Sequence, residues 1–366
     1  MIVELLIIAV LVAVACAIPG VFLVLKKMSL ISDAISHSVL LGIVVGFMLT
    51  HSLSSPLLFI GAVITGLLTV FLSEVLVKSR LVKEDAAIGL VFPALFSIGV
   101  ILVSRYTGNV HLDTDAVLLG ELIFTPLDRL TFMGRDLGPR MIWVMSIILI
   151  INLAVLFLFF KELKLATFDE GLSASLGFSP ILIQYILMID VSITTVGAFD
   201  AVGSILVVAL MIVPAATAYL LTDNLKTMVI LSIIIGIVAS LLGIAFSWII
   251  DASAAGGMAV MVGIIFFFTF LFSPSRGIIV LKKRRKNQKI EFAIKMLVVH
   301  LLHHSNTKSE LEECREQHLL EHINWEPRFA KQVVQKAKKD ELVTDREGIL
   351  ILSKTGINMA QESMLR

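Results

Sequence analysis

Met28-Ser29-Leu30-Ile31-Ser32-Asp33-Ala34-Ile35-Ser36-His37-Ser38-Val39-Leu40-Leu41-Gly42-Ile43-Val44-Val45-Gly46-Phe47-Met48-Leu49 decides how the rest of this chain is read. As a helix it is about 33 Å long, the thickness of a bilayer's hydrocarbon core. Two ionisable side chains, Asp33 and His37, interrupt the apolar run. Such groups are costly inside a membrane and mark a functional site by default. Four residues is about one helical turn, so the two share a face. A carboxylate oxygen with an imidazole nitrogen is a ligand set for divalent transition metals. Ser29, Ser32 and Ser36 extend the pair into a polar stripe at i, i+3, i+4, i+7, i+8 spacing. His37 falls about 14 Å into the span, near the midplane. An alternative reading of the same spacing is an Asp–His hydrogen bond that holds helices together.

The remaining sequence fits a polytopic membrane protein. Of 366 residues, 57% are hydrophobic and 16% charged, more apolar than an ordinary soluble domain requires. Residues 1–281 hold 13 Lys and Arg against 17 Asp and Glu, and residues 282–366 hold 17 against 12. Composition and charge therefore change together, giving a transmembrane domain over 1–281, a basic juxtamembrane linker over 282–289 and a water-soluble domain over 290–366. Cys16 and Cys314 are the two cysteines, which argues against a disulfide framework or a thiolate metal cluster. The first apolar run has no basic region before it and is long for a signal peptide, so it reads as a retained span.

Nine spans are expected, over 2–25, 28–49, 56–77, 86–103, 141–160, 180–197, 202–221, 227–250 and 253–272. Basic connectors at Lys26–Lys27, 78–83, 161–164, Lys226 and from Arg276 onward alternate with 51–55, 199–200 and 250–251. Lys and Arg favour the cytoplasmic side, which puts the N-terminus outside and the tail in the cytoplasm. The connector 105–140 runs against this pattern: it should be outside, yet it holds four arginines. Asp113, Asp115, Glu121, Asp128 and Asp136 lie there too, with a short apolar piece, 116–124, that suits a re-entrant or interfacial segment. Gly42 and Gly46 form a small-xxx-small pair that lets helices approach closely. Pro19, Pro93 and Pro214 should kink or break their spans, where protein or water must re-satisfy the freed backbone.

Asp190 lies in the middle of the sixth span and either lines the same path as Asp33 and His37 or pairs across the bundle. Asp200, Asp251, His51 and His111 fall at outer ends, where solvated side chains are ordinary, and Glu74 sits near an inner end. The chain lacks the G-x-x-x-x-G-K-[ST] phosphate loop, HExxH, a nucleophile elbow and any kinase signature. Energy for transport must then come from an ion gradient or a separate ATPase. Between spans five and six, Phe168, Asp169, Glu170, Leu172, Leu176 and Gly177 belong to a short helix with acidic residues near its start and glycine near its end. It is either a plain connector or a surface that docks on a cytoplasmic partner.

These segments resemble the permease family of ABC transporters for manganese, zinc and iron. The carriers are residues 27–40, 84–89, 168–177, 198–203 and 214–218, in order through 1–280. The resemblance implies an all-α permease bundle like that of the vitamin B12 importers, about nine helices in a bacterial inner membrane. It implies a second permease copy or related permease, two cytoplasmic ATPase subunits and an extracytoplasmic metal-binding protein. It makes Asp33 and His37 the pore ligands, leaves Asp190 a candidate third ligand, and makes 168–177 the ATPase coupling helix. It further implies that the chain is not an enzyme and holds no permanent cofactor, and that its cargo is a divalent cation, manganese first, then zinc or iron. Other readings are a proton-coupled secondary transporter and a membrane-tethered metal-responsive regulator.

Residues 282–366 depart from the plain permease pattern. Lys282, Lys283, Arg284, Arg285 and Lys286 suit an anionic inner membrane surface. Helices are expected over 290–303, 308–322, 327–339 and 353–364, with two short strands around Asp345 and Gly348. Phe292, Ile294, Leu297, Val298 and Leu301 are the expected buried set of the first helix. The order resembles the winged-helix domain of metal-dependent repressors. Arg328, Lys331, Lys336, Lys338 and Lys339 would face phosphates in a DNA complex, but membrane tethering and nearby acidic residues argue against DNA binding. His300, His303, His304, His318 and His322 suit either a metal sensor or a solvated helix face.

Overall fold

The computed structural model describes residues 1–52, 55–106, 122–132, 135–305, 313–315, 325–346 and 348–364. His111, Asp113, Asp115, Glu121, His318, His322 and most of the expected 116–124 and 308–322 segments lie outside them. The chain divides into two compact units, Met1–Gly277 and Ile278–Arg366.

The first unit is a helical bundle. Its long helices are α1 (Ile2–Leu25), α2 (Ser29–Thr50), α3 (Pro56–Lys78), α4 (Glu84–Tyr106) and α5 (Arg140–Leu158), followed by short α6 (Phe160–Phe168) and α7 (Glu170–Ser175). Then come α8 (Pro180–Leu221), α9 (Leu225–Ile250) and α10 (Ala254–Phe272). Before α5, a small hairpin pairs β1 (Arg129–Phe132) with β2 (Arg135–Pro139). Local signals set several starts. Ser55 and Ser179 accept backbone N–H groups of the first turns of α3 and α8, each with Pro at the first helical position, and Asn224 does the same for α9.

α1 is the central strut, packed against α8, α9 and α5. Pro19 lies inside it and has no N–H to offer, so the carbonyl four residues earlier, Ala15, has no helical partner. Asn152 of α5 supplies that bond, its Nδ2 donating to the Ala15 oxygen at 2.8 Å. The same amide exchanges hydrogen bonds with Thr194 of α8 at 3.0 and 3.1 Å. Three helices are thereby joined at one buried polar point. Pro93 and Pro214 are also accommodated without ending α4 and α8.

Among the described residues, eight helices are long and apolar enough to cross a membrane, where the sequence suggests nine spans. The sixth and seventh expected spans are the two arms of α8. As one straight rod, its 42 residues would reach about 63 Å, twice a hydrocarbon core. Gly203 breaks it at φ 76°, ψ 166°, a conformation open to glycine. The contacts trace a reversal there. Tyr185 bonds Glu74 near the Lys78 end of α3, and the Ala201 carbonyl accepts from Thr125 at the opposite end. Met211 then returns to Ser32 near the start of α2. At the Thr125 end, Arg129 pairs with Glu4 at 3.3 Å and Asp136 at 2.6 Å, and Arg140 lies 3.8 Å from Asp128. Of the connector's arginines, Arg129 and Arg140 are thus ion-paired.

The second unit contains α11 (Ile278–His304), α12 (Pro327–Lys339), an antiparallel hairpin of β3 (Val343–Arg346) and β4 (Ile349–Leu352), and α13 (Lys354–Met364). The basic segment 282–289 is helical, part of α11. Ile294, Leu297, Val298 and Leu301 are buried with Val333, Val334, Val343 and Leu350. Phe292 is 67% exposed, against expectation. It lies two residues from Ile294, about 200° around the helix, and so faces away from the core. In the hairpin turn, the Lys338 ammonium and the Gly348 N–H hold the Asp345 carboxyl below its usual range.

Asn152→Leu keeps the branched heavy-atom shape of the side chain and leaves the Ala15 carbonyl unanswered, at about 1–3 kcal/mol. The thermal-unfolding midpoint in detergent should fall. Pro19→Ala returns the missing N–H, so the Asn152→Leu penalty should be smaller in that background. Equal penalties in both backgrounds would refute the assignment.

Candidate functional site

α2 holds the Asp33–His37 pair in its first half, with His37 nearest its middle. His37 Nε2 lies 3.5 Å from Asp33 Oδ1, with side chains 32% and 44% exposed. The imidazole stacks on Phe92 at 5.8 Å and meets Phe96 edge-on at 6.2 Å, both from α4. The ring is thus steadied on one side while the carboxylate edge stays open.

The polar stripe of α2 does not behave as one surface. At about 100° per residue it is about 140° wide, and its two edges meet different neighbours. Ser32 and Ser36 are buried. Ser32 Oγ contacts Met211 Sδ at 3.2 Å, and Ser36 Oγ donates to the Ser32 carbonyl at 2.9 Å. The serines therefore close against α8 and their own backbone, while Asp33 and His37 face the open edge. Behind them, Thr69 of α3 donates to Ser38 at 2.7 Å. α2 and α3 come close enough for this because Gly42 sits directly on the Gly61 carbonyl, where a Cβ would overlap it.

Asp190 is 3% exposed in the first arm of α8. Its Oδ1, with Ser192 Oγ and Thr195 Oγ1, is buried without a hydrogen-bond partner among the described residues. It shares a face of α8 with Thr194, one turn on, and does not gather with Asp33 and His37 into one group of ligand atoms.

At the Lys26 end of the bundle, a cavity of about 470 Å³ is lined by Lys26, Lys27, Glu74, Lys78, Glu84 and Glu170, and reaches Met28 and Ile31 at the start of α2. Lys78 and Tyr185 both bind Glu74, each at 2.7 Å. Lys26 reaches Glu170 at 3.1 Å and ties α7 to the end of α1. Asp169 caps α7, its Oδ1 accepting the Leu172 N–H at 2.8 Å, and Gly177 takes φ 88° just beyond it. The expected single short helix is broken at Asp169, whose extended backbone caps α7: Phe168 ends α6, Leu172 lies in α7 and Leu176 just past it, and the three are 60%, 46% and 57% exposed. The capped, tethered α7 therefore leaves Leu172 exposed, flanked in the chain by exposed Phe168 and Leu176.

Sequence reasoning overlooked Asn152, the Phe92 and Phe96 clamp, and the Lys26–Glu170 tie. A lone amide in an apolar span and two aromatics at i, i+4 spacing were available signals. The Lys26–Glu170 contact joins residues 144 apart and leaves no local trace.

Residues 1–273 match the family described as "ABC 3 transport family". The zinc transport system membrane protein TroD of Treponema pallidum (strain Nichols) is 51% identical over 358 residues, 98% of this chain and 97% of that protein. The manganese transport system membrane protein MntD of Bacillus subtilis (strain 168) is 47% identical over 284 residues, 78% of this chain and 96% of that protein. The solved structure of PsaBC from Streptococcus pneumoniae in complex with Fab gives a TM-score of 0.64 at 30% identity, over 76% of this chain and 94% of that chain. The similarity to TroD extends through the second unit, whereas the family match ends at residue 273.

Asp169→Ala removes the α7 cap and should destabilise that helix by about 0.5–2 kcal/mol. Hydrogen exchange at the Leu172 amide should quicken, and Asp169→Asn should restore most of the protection. Unchanged exchange in Asp169→Ala would show that the cap does not hold the helix.

Proposed function

The chain belongs to the ABC 3 transport family, and from that premise we propose that it is the membrane permease of an ATP-driven importer for a divalent transition metal, with Asp33 and His37 as its pore ligands. The observation that carries this reading is the half-open Asp33–His37 pair on a membrane-spanning helix. A carboxylate so exposed cannot face lipid without a large cost. Its open edge must face water or protein. A second permease copy against this edge would bring a matching pair, so that four protein ligands and water surround one cation. Carboxylate and imidazole together accept manganese, zinc and iron, the metals named among the relatives. The cation is cargo, held for one transport cycle.

ATP hydrolysis belongs to a separate subunit, since the chain carries no phosphate loop. The exposed apolar side chains of Phe168, Leu172 and Leu176, around the short α7 that Asp169, Glu170 and Gly177 shape, are the coupling surface for that ATPase. Lys26 and Glu170 link the surface to α1, and α1 packs on the arm of α8 that touches α2. ATPase movement would reach the metal pair by that route. In this reading the cavity beside Met28 and Ile31 is the inner exit; Lys26 would then face the cytoplasm and the Thr125 end the outside, where a metal-binding protein delivers cargo, and the basic connectors of the sequence assign the tail to the cytoplasm. Asp190 is a buried polar contributor to the bundle rather than a first ligand.

In the second unit, the order helix, helix, hairpin, helix supports a winged-helix-like regulatory module. Lys336 and Lys338, two of the five candidate phosphate contacts, are already paired with Asp340 and Asp345 at 2.9 and 2.6 Å. That favours regulation over DNA binding.

Uptake of radiolabelled manganese and zinc by cells carrying the complete transporter tests the pore. Asp33→Ala and His37→Ala should each reduce uptake at least ~10-fold, the lower end of losses seen when even a ligand's support is removed, with membrane expression unchanged. Normal uptake by both variants refutes the pore assignment. Uptake that survives inactivation of the ATPase would instead favour proton coupling. Leu172→Asp should prevent co-purification of the ATPase while leaving Asp33 and His37 intact; full recovery of the complex would remove α7 from the docking surface.

A further inference from the structure

The second unit contains a set of side chains that the transport reading does not use. His300 and His304, one turn apart at the end of α11, meet Glu313. One ligand atom from each lies within 4.8 Å of the others, and all three residues are half-buried. The two imidazole rings are 4.7 Å apart between centroids, tilted by 50°. His300 Nε2 lies 3.2 Å from the Glu313 backbone carbonyl. A carbonyl can only accept, so Nε2 carries the proton and Nδ1 is the ring's acceptor nitrogen. An imidazole fixed in this way, by one N–H given to a backbone oxygen, is the usual support of a metal-bound histidine.

The third residue is positioned from a different element. Leu350 N donates to the Cys314 carbonyl at 2.9 Å, and Arg315 bridges to Ile349, so residues 313–315 are stitched to β4. The Cys314 side chain is buried with Leu297, Leu301 and Leu350 in the core of the unit. The histidines are thus set by α11 and the carboxylate by the hairpin. Atoms sharing a tetrahedral ion at about 2.0–2.2 Å lie about 3.3–3.6 Å apart, so an ion would draw the three inward from their 4.8 Å limit.

We propose that His300, His304 and Glu313 form a second metal site, separate from Asp33 and His37, that binds a zinc-like divalent transition-metal ion and clamps the end of α11 to the β3–β4 hairpin. Two imidazoles and one carboxylate form a borderline set that suits zinc and its neighbours and is poorly matched to calcium or magnesium, which require mostly oxygen ligands. The site has the chemistry of the proposed cargo. If the second unit lies in the cytoplasm, as the transport reading has it, occupancy reports metal already imported. Binding itself does not depend on that reading.

The test uses the purified full-length chain carrying Asp33→Ala and His37→Ala, so that the pore pair contributes nothing. Equilibrium dialysis against zinc should give one ion per chain. Adding His304→Ala or Glu313→Gln should weaken binding at least ~10-fold, as loss of one ligand implies, with circular dichroism unchanged. His303→Ala, an exposed neighbour outside the group, should retain the ion. Zinc should also slow hydrogen exchange at the end of α11 and in β4, and His304→Ala should abolish that protection. The proposal is overturned if the chain with the pore pair removed binds no zinc, if both ligand variants bind as before, if His303→Ala loses the ion equally, or if zinc binds without protecting β4. Uptake assays report on the pore pair and dialysis on this cluster, so failure of one reading is distinguishable from failure of the other.

Discussion

The carbonyl of Ala15 is the point on which the bundle depends. A proline in a membrane helix frees a backbone oxygen where no water can reach it, and the group must find another donor. Here the donor is Asn152, which also binds Thr194. One amide therefore makes the break in α1 tolerable and fixes α5 and the first arm of α8 around it. Next to Pro19, Gly20 lies against the Met211 backbone of the returning arm of α8. Both arms are thereby held to the same strut.

The Asp33–His37 pair inherits its position from this arrangement. α2 is clasped on one side by α8, through Ser32 and Met211, and on another by α3, through the Gly42–Gly61 approach. Those contacts use up the serine edge of its polar stripe. Asp33 and His37 are left on the remaining edge, with Phe92 and Phe96 steadying the ring. A polar pair that packing has not enclosed within a membrane span is incomplete in a single chain. That incompleteness suits the proposed role, in which the pair must bind an ion and then release it.

Much of this was legible in the sequence. The helix starting at Pro327 and ending at Lys339 was read with the same limits that the structure gives, because proline at the first position and a regular apolar face are local signals. The hairpin around Asp345 and Gly348 was equally plain, since the turn chemistry lies within four residues. The pair at 33 and 37 was visible because helical geometry alone brings it together. The reversal at Gly203 was harder to read. A glycine in an apolar run looks like a packing site, and only the partners of Tyr185, Ala201 and Met211 reveal that the chain doubles back. Hydrophobicity alone marks Phe292 as buried, but its angular position on α11 turns it away from the core.

The sequence by itself determined that this is a membrane protein, where its apolar segments run, that Asp33 and His37 share a helix face, and where the soluble tail begins to form elements. These follow from composition and from interactions between residues a few positions apart. The tertiary structure alone decided which edge of α2 stays open, how the Ala15 carbonyl is satisfied, how Lys26 holds Glu170, and that Glu313 meets His300 and His304. Each of these joins separate elements. Such contacts are set by which helices pack together, a choice that depends on satisfying buried backbone groups and on glycine-permitted approach, and not on any single stretch of the chain.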